Sequence, residues 1–214
     1  GHGVVSVARR NGGVRLATDR GETLAFDACV IATHADQALA LIETPTDDER
    51  RLLGAFRYAR NEAVMHTDKR AMPRRRGAWA SWNYIADRRL GEKRPSITYW
   101  MNKLQGIDPK KPVFVSLNPV TDIPAERVIR RASYEHPMFT QETLDAQKKL
   151  WSLQGVGGLW FCGAHFGAGF HEDGLQSGLA VAEAIGGVRR PWRVADESGR
   201  IYLSERGPAL AAAT

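Results

Sequence analysis

The sequence of 214 residues has only two cysteines, no apolar run long enough to cross a bilayer, and no signal-peptide pattern at its start. Cys29 and Cys162 lie in separate apolar runs, ACVIAT and LWFCG, and neither has a partner at metal-ligand spacing. These absences exclude a disulfide framework and favour reduced thiols, a cytoplasmic location, no bound metal and no integral membrane segment. Hydrophobic residues form 43% of the chain, which suffices for one core or for two lobes.

The positive charge is concentrated in one stretch. The formal net charge is +6, and much of the excess lies in DKRAMPRRRG, residues 68–77. Such a stretch attracts nucleic acid or anionic lipid headgroups. Because no aromatic residues are interleaved for base stacking, we predict a solvated loop and no nucleic-acid partner. A basic lipid-binding module stays open as an alternative function.

The order of the predicted elements indicates two lobes. Alternating strands and helices occupy both ends of the chain, and the middle is typical of antiparallel strands with an aromatic face. The middle strands are predicted at Ala63–Thr67, Ser81–Ile85, Ile97–Leu104, Val113–Leu117 and Val128–Ser133. We predict a mixed α/β (α+β) fold in which residues 1–45 and 140–190 form one lobe and residues 46–139 form an inserted second lobe. Residues 191–214 are predicted to form a C-terminal tail.

The segment GAHFGAGFHEDGLQSGLAVAEAIGG, residues 163–187, joins a glycine-rich loop to an apolar-periodic helix. The helix is predicted at Leu175–Ile185, with Asp173 as its N-cap. Its buried stripe is predicted to be Leu175, Leu179, Ala182 and Ile185. Glycines let a ligand approach the backbone, and the first amides of a helix attract an anion or a polar carbonyl. The segment is therefore either a ligand cradle or a tight strand-to-helix connection.

This segment resembles the C-terminal flavin-binding part of FAD-dependent amine oxidase-like oxidoreductases, and GFHEDGLQSG is its most specific match, to a bacterial NAD/FAD-binding subgroup. The stretches VVSVARR, FDACVIATHADQALALI, TYWMNKLQG, VFVSLNP and YEHPMF resemble the same proteins. The resemblance implies FAD as cofactor and a partial FAD/NAD(P)-binding lobe built from both chain ends. The cofactor-binding residues that it implies are Val4, Ala32, Thr33, Gly163, Ala164, His165, Gly174, Leu175 and Ser177.

The sequence departs from that family in three ways. It contains no G-x-G-x-x-G motif to hold the FAD pyrophosphate, and Ala164 follows Gly163 where many relatives carry an acidic residue. The sequence also opens with Gly1-His2-Gly3 rather than an initiator methionine. We therefore expect the C-terminal part of a longer flavoprotein, inactive alone and with weak or no FAD binding. No lysine stands at positions 61–63, near where amine oxidases often place one, and this argues against their standard mechanism.

The resemblance implies an enzyme that transfers a hydride from a C–H bond of an apolar, lipid-like substrate to flavin. His171 and Glu172, at the entry to the helix, are candidate catalytic residues. The candidate substrate-binding residues are Tyr99, Trp100, Asn102, His136 and Phe170. A binding or scaffold protein without redox function is the alternative. Exposed sheet edges and apolar surface favour self-association of the fragment.

Overall fold

The computed structural model describes residues 1–85 and 96–203, so residues 204–214 of the predicted tail lie outside the described part. The chain divides into two compact units, one formed by Gly1–Tyr58 with the segment from Pro137 onward, the other by Ala59–His136. The predicted mixed α/β class is confirmed. Within the described ranges, no helix is both long and apolar enough to cross a membrane.

The described residues form strands and helices in the following order along the chain. The strands are β1 (Val4–Arg10), β2 (Gly13–Thr18), β3 (Thr23–Phe26), β4 (Cys29–Ile31), β5 (Arg57–His66), β6 (Trp82–Ile85), β7 (Ser96–Trp100), β8 (Phe114–Leu117), β9 (Val128–Met138) and β10 (Leu159–Phe161). The helices are α1 (Ala35–Leu41), α2 (Asp47–Leu53), α3 (Met101–Gln105), α4 (Gln141–Leu150) and α5 (His171–Gly186).

The first unit contains two small sheets. Strands β1, β2 and β3 form an antiparallel sheet, and β4 pairs in parallel with β10. Gly12, with φ 84°, closes the turn between β1 and β2 in a conformation that glycine adopts without strain. Parallel strands need a long connection between them, and here the chain between β4 and β10 includes the whole second unit.

Polar caps begin two helices of the first unit, as the sequence predicts from the acidic residues that follow Thr46 and from the helical pattern that follows Thr140. The Thr46 hydroxyl accepts the Glu49 N–H at 3.2 Å, and the Glu49 carboxylate accepts the Thr46 N–H at 2.8 Å. This reciprocal pair satisfies two amides that the first turn of α2 leaves free. Thr140 likewise accepts the Thr143 N–H at 3.3 Å at the start of α4. Each of these caps therefore defines the residue at which its helix begins.

A continuous apolar core fills the first unit. Its largest fully buried members are Val7, Leu52, Leu53, Phe56, Leu150, Trp151, Leu159, Phe161 and Phe166. The core also takes in Ile31 of β4 and Ile201 near the end of the described chain. Because both parallel strands are anchored in it, their carboxyl ends hold a fixed place in this unit.

The second unit is built on a five-stranded sheet with the order β6-β7-β8-β5-β9. One face is closed and holds a chain of buried polar groups. His66 has no exposed surface, its Nδ1 accepts the Asp68 N–H at 3.1 Å, and its Nε2 donates to the Ser116 hydroxyl at 2.9 Å. Ser116 in turn bonds to Thr98 at 2.7 Å. Burial lowers the pKa of His66, so this side chain stays neutral inside the sheet.

The predicted strand Ile97–Leu104 is wrong in its second half. Strand β7 stops at Trp100, and α3 follows directly. The cause is Asn102, whose side-chain amide donates to the carbonyls of Asp108 and Lys111 and accepts the Val113 N–H. These bonds close a loop, which pulls Asn102 out of the extended conformation. Asn102 therefore lies on a helix rather than on the same strand as Trp100.

Candidate functional site

The carboxyl ends of β4 and β10 lie side by side in the first unit. The parallel register pairs Ile31 with Phe161, and the Cys162 N–H continues the pairing by donating to the Ile31 carbonyl at 3.2 Å. Ala32 and Thr33 follow β4, and Gly163 follows β10 after one residue. Ligands of open α/β sheets bind at this end of parallel strands. The predicted residues Ala32, Thr33 and Gly163 are thus brought to one edge.

Two buried glutamines hold the chain on either side of this edge. Gln154 accepts the Phe161 N–H at 2.8 Å and donates back to the Phe161 carbonyl at 2.7 Å, so it completes the outer side of β10. Gln147 donates to the carbonyls of His165 at 2.9 Å and Gly167 at 2.6 Å. Because buried backbone groups need partners, these side chains fix the course of the glycine loop. Sequence patterns did not predict either glutamine.

Ser177 ties the same loop to α5. Its hydroxyl accepts the Gly163 N–H at 3.0 Å and lies within hydrogen-bond distance of the carbonyls of Gly163 and Gly174. The side chain is fully buried. Ser177, which the resemblance assigns to the cofactor, therefore clamps the start of the loop onto the helix. Ala164, the next loop residue, opens a short 3-10 turn that ends at Phe166.

Helix α5 begins earlier than the sequence predicts. Its first residue is His171 and its N-cap is Phe170, so the predicted start at Leu175 and the predicted N-cap Asp173 are wrong. Asp173 instead reaches back, and its Oδ2 accepts the Phe170 N–H at 2.7 Å. Its Oδ1 contacts Arg200 Nε at 2.6 Å, and this cation stabilises the carboxylate in a fully buried position.

The buried stripe that the sequence predicts for α5 is also wrong. Leu175 is 55% exposed and Ile185 is 43% exposed. The face that packs inward carries Asp173, Ser177, Ala180, Val181 and Glu183. Because both acidic residues on this face have arginine partners, polar side chains occupy positions where an apolar pattern would place leucine.

The outward face of α5 has a bare strip at Gly174 and Gly178. Apart from chain neighbours and the backbone of α5 itself, no described atom lies within 4 Å of a Cβ built on Gly178, and a Cβ on Gly174 would meet only the Ala164 nitrogen, at 3.7 Å. The Gly174 N–H donates to the Phe170 carbonyl at 3.3 Å. Leu175 lies beside this strip of helix backbone. The predicted cofactor residues Gly174 and Leu175 thus border an open surface.

Substitutions at Gly163 and Gly178 test which of these two glycines is tightly packed. Gly163 has φ 152°, and a Cβ there would lie 2.8 Å from His165 Nδ1 and 3.3 Å from the Thr33 carbonyl oxygen. We expect Gly163→Ala to lower the free energy of unfolding by about 1–2 kcal/mol. Gly178→Ala should instead raise it by about 0.5–1 kcal/mol, because alanine loses less entropy in a helix. Urea denaturation of both variants measures this, and equal signs would contradict the described packing.

Two histidines and a tyrosine pack beside the carboxyl ends of β4 and β10. The His34 ring stacks on Tyr58 at 4.3 Å, and the Tyr58 hydroxyl accepts the Ala35 N–H at 2.9 Å. His165 is 3% exposed, and its ring meets the edge of Phe56 at 5.5 Å. Burial, with a smaller effect of His34, lowers the pKa of His165 to about 4. The imidazole of His165 is therefore neutral at physiological pH.

His34 and His165 each have one ring nitrogen that makes no hydrogen bond to a described residue. His34 Nδ1 and His165 Nε2 are buried without a hydrogen-bond partner among the described residues. The described ranges hold no group of three or more His, Cys, Asp or Glu side chains arranged to bind a metal ion. Tyr58 was not among the predicted site residues, and His34 stands three positions after Ile31, the last residue of β4.

Other predicted residues lie elsewhere. Val4 opens β1, pairs with Thr18 in the antiparallel sheet and is 39% exposed. His171 and Glu172 occupy the first turn of α5 as exposed side chains, and Phe170 before them is 63% exposed. These three form the outer rim of the helix N-terminus.

The remaining substrate candidates belong to the second unit. Tyr99 stacks on Trp82 at 6.5 Å, whereas Trp100 points to the other face and meets Trp79 edge-on at 5.4 Å. Asn102 uses its amide inside the loop that follows α3. His136 is an exposed residue of β9. Of these four residues, His136 is exposed, Tyr99 and Trp100 are half-buried on opposite faces of the sheet, and Asn102 is buried.

A parallel strand pair, a glycine loop and a long helix in one unit, with antiparallel pairing of β6, β7, β8 and β5 in the other, are consistent with a partial flavoprotein-like fold. No protein-family model matches the sequence, and neither does any curated protein. Solved structures do match it. Reduced UDP-galactopyranose mutase has a TM-score of 0.58 at 11% identity, over 94% of this chain and 50% of that one.

Two further structures share the fold. Cyclohexylamine oxidase from Brevibacterium oxydans IH-35A has a TM-score of 0.56 at 13% identity, over 86% of this chain and 48% of that one. The CLA-producing fatty acid isomerase from P. acnes has a TM-score of 0.51 at 16% identity, over 76% of this chain and 42% of that one. The chain thus spans half or less of the length of these structures. At such low identity the likeness shows the fold alone.

Proposed function

We propose that this chain is the C-terminal part of an FAD-dependent oxidoreductase, with the flavin against the bare face of α5. The observation that carries this proposal is the rigid loop at Gly163 next to the open backbone at Gly178. A flat ring system needs such a close approach to backbone, which a larger side chain would block. Exposed Phe170 and Leu175 add apolar surface at the same end of the helix. These residues fit the ring end of the cofactor.

The unpaired edge of β4 supports a larger sheet in the whole protein. The outer side of β10 is already used, because Gln154 and the Gly155 N–H bond to it. On β4, Val30 is 43% exposed and Ala32 is exposed. Parallel sheets are normally covered on both faces and contain more strands than two. Further parallel strands beside β4 would hold the pyrophosphate, for which the chain has no glycine motif.

The chain's own residues would act at the rim of α5. A bound flavin supplies the electron acceptor for a hydride from the substrate. The first amides of α5, on His171 and Glu172, face outward and donate to a carbonyl or a developing negative charge. Glu172 is held along the helix by the Gln176 amide at 3.2 Å. His171 and Glu172 are the side chains at this rim that can act as an acid or a base.

An apolar, lipid-like substrate is the second part of the proposal. Tyr99, Trp82 and Tyr84 give the second unit an aromatic face. Trp82 and Tyr99, which lie on neighbouring strands, stack on each other. One protein of similar fold is a fatty acid isomerase, and another is an oxidase of cyclohexylamine. Both names are those of proteins that act on largely hydrocarbon molecules.

The basic stretch 68–77 gives little support to the alternative of a lipid-binding module. Arg70 is paired with the buried Asp68 at 2.7 Å, and Arg76 lies over the Trp79 ring at 3.9 Å. Arg70 keeps 60% of its side chain exposed and Arg76 is also exposed, but each cation is held by one specific partner.

Flavin content of the product of the whole gene tests the proposal. We expect stoichiometric flavin absorbance that bleaches when an apolar substrate is added without oxygen. Gly178→Leu should lose most of the flavin and keep its circular dichroism, because leucine fills the bare strip. Gly186→Ala, at a site equally free of neighbours, is the matched control and should keep the flavin. FAD titration of the present chain alone should show weak or no binding. A whole protein that stays colourless after reconstitution with FAD would refute the proposal.

A further inference from the structure

Two asparagines connect β5 and β8 to a histidine of β9 in the second unit. Asn118 Nδ2 donates to Asn61 Oδ1 at 2.7 Å, and Asn61 Nδ2 lies 3.0 Å from His136 Nδ1. Asn118 adopts φ 47°, in the left-handed region that asparagine tolerates better than most residues. The three side chains form one continuous hydrogen-bonded chain.

Backbone groups at both ends of this chain fix the direction of every bond. The Glu62 N–H donates to Asn118 Oδ1 at 3.0 Å, so this atom is the amide oxygen and the other is the donor. The Ala59 carbonyl accepts from Asn61 Nδ2 at 2.9 Å, so that atom is the amide nitrogen. His136 Nδ1 faces an N–H donor and must accept. The neutral imidazole therefore carries its proton on Nε2.

The oriented histidine borders an apolar face of the sheet. The register places rows of side chains on this face, namely Trp82, Tyr99, Val115 and Met65 in one row and Tyr84, Ile97, Leu117 and Ala63 in the next. Asn61 precedes Ala63 by two residues on β5 and so lies on the same face. His136, bonded to Asn61, is at the polar border of this apolar surface.

We propose that His136 is a specificity-determining residue that donates its Nε2–H to a carboxylate oxygen of an apolar ligand, with Asn61 and Asn118 as positioning residues. The ligand's hydrocarbon part then lies along the apolar face. An ammonium head group offers only donors and cannot accept this proton, so the site selects acids over amines. A carboxylate gives the stronger bond because it is charged. The proposal rests on the proposed function for the role of the ligand as substrate.

The tautomer can be read without any ligand. Long-range 1H–15N spectra of the chain should show His136 protonated on Nε2. Asn61→Asp replaces the donor by an acceptor and should move the proton to Nδ1. Protonation on Nδ1 in the unsubstituted chain would overturn the positioning role.

Binding of dodecanoate to the flavin-free chain tests the ligand class. We expect His136→Phe to weaken binding about tenfold or more, the loss of one hydrogen bond to a charged group. His136→Gln keeps an N–H donor and should restore part of the affinity. Ile129→Val, an exposed change seven positions earlier on the same strand and therefore on its opposite face, should leave it unchanged. Tighter binding of dodecylammonium, no binding of dodecanoate, or equal affinity in His136→Phe would each overturn the proposal. Because no flavin takes part, a failure here is separate from a failure of flavin binding.

Discussion

Replacing Glu183 by alanine should lower the free energy of unfolding by about 3–5 kcal/mol, because it leaves a buried arginine without its counter-charge. Glu183 is 3% exposed on the inward face of α5. Its carboxylate accepts the Arg190 N–H at 3.0 Å and Arg190 Nε at 2.5 Å, and Arg189 adds a contact at 2.9 Å. The Arg190 side chain lowers the pKa of Glu183, which shows that the pair favours the charged state. Urea denaturation followed by circular dichroism measures the loss.

The matched control removes both charges together. Glu183→Leu combined with Arg190→Met replaces the pair by apolar side chains and should cost far less than Glu183→Ala. Asp145→Asn breaks an ion pair with Lys148 in which both side chains are more than half exposed, so it should change stability far less than Glu183→Ala. A Glu183→Ala variant no weaker than Asp145→Asn would show that Arg190 is not held by this contact.

Ion pairs formed by Arg190 and Arg200 also explain why residues 187–203, which follow α5, have a defined course. Arg190 is bound by Glu183, Arg200 by Asp173, and Ile201 enters the apolar core. The alanine-rich end of the sequence led to the prediction of a tail over residues 191–214, and part of that range is fixed to α5. Its order comes from ion pairs to a helix that ended before it, which a local pattern does not reveal.

Strands and capped helices were the predictable part of the fold. Alternation and turn glycines predicted β1 to β4, and Thr46 and Thr140 predicted the starts of α2 and α4. The start of α5 was not predictable, since an aspartate fits both the N-cap and the third helical position. Phe170 and Arg200 decide between them, and Arg200 lies 27 residues away along the chain.

The family resemblance assigned the glycine loop and the segment at Ala32 and Thr33 to one cofactor, and the parallel pairing of β4 with β10 brings the two segments to one edge. The polar side chains that hold this edge, Gln147, Gln154 and Tyr58, were not expected. Their partners are backbone groups that only the folded chain brings near, and a buried glutamine looks in sequence like a surface residue.

Replacing His165 by phenylalanine should make the protein less sensitive to acid. The folded-state pKa of His165 is about 4, below the value of about 6.5 for an unfolded histidine. Between these values the unfolded chain binds a proton that the folded chain does not. The stability contributed by the neutral ring is therefore present above about pH 6.5 and is lost as the pH falls towards 4. The slope is up to about 1.4 kcal/mol per pH unit, on the order of 3 kcal/mol in total.

Phenylalanine fits the aromatic surroundings of Phe56 and Phe166 and removes a buried nitrogen that has no partner among the described residues. Urea midpoints measured from pH 8 to 4 should fall less steeply for His165→Phe than for the unsubstituted chain. His66, whose pKa burial also lowers, contributes to both curves and cancels in their difference. Phe166→Leu, beside the same ring, should shift the curve by a constant amount and leave its slope unchanged. Parallel curves for His165→Phe and the unsubstituted chain would mean that the His165 ring is charged, or hydrated, in the folded state.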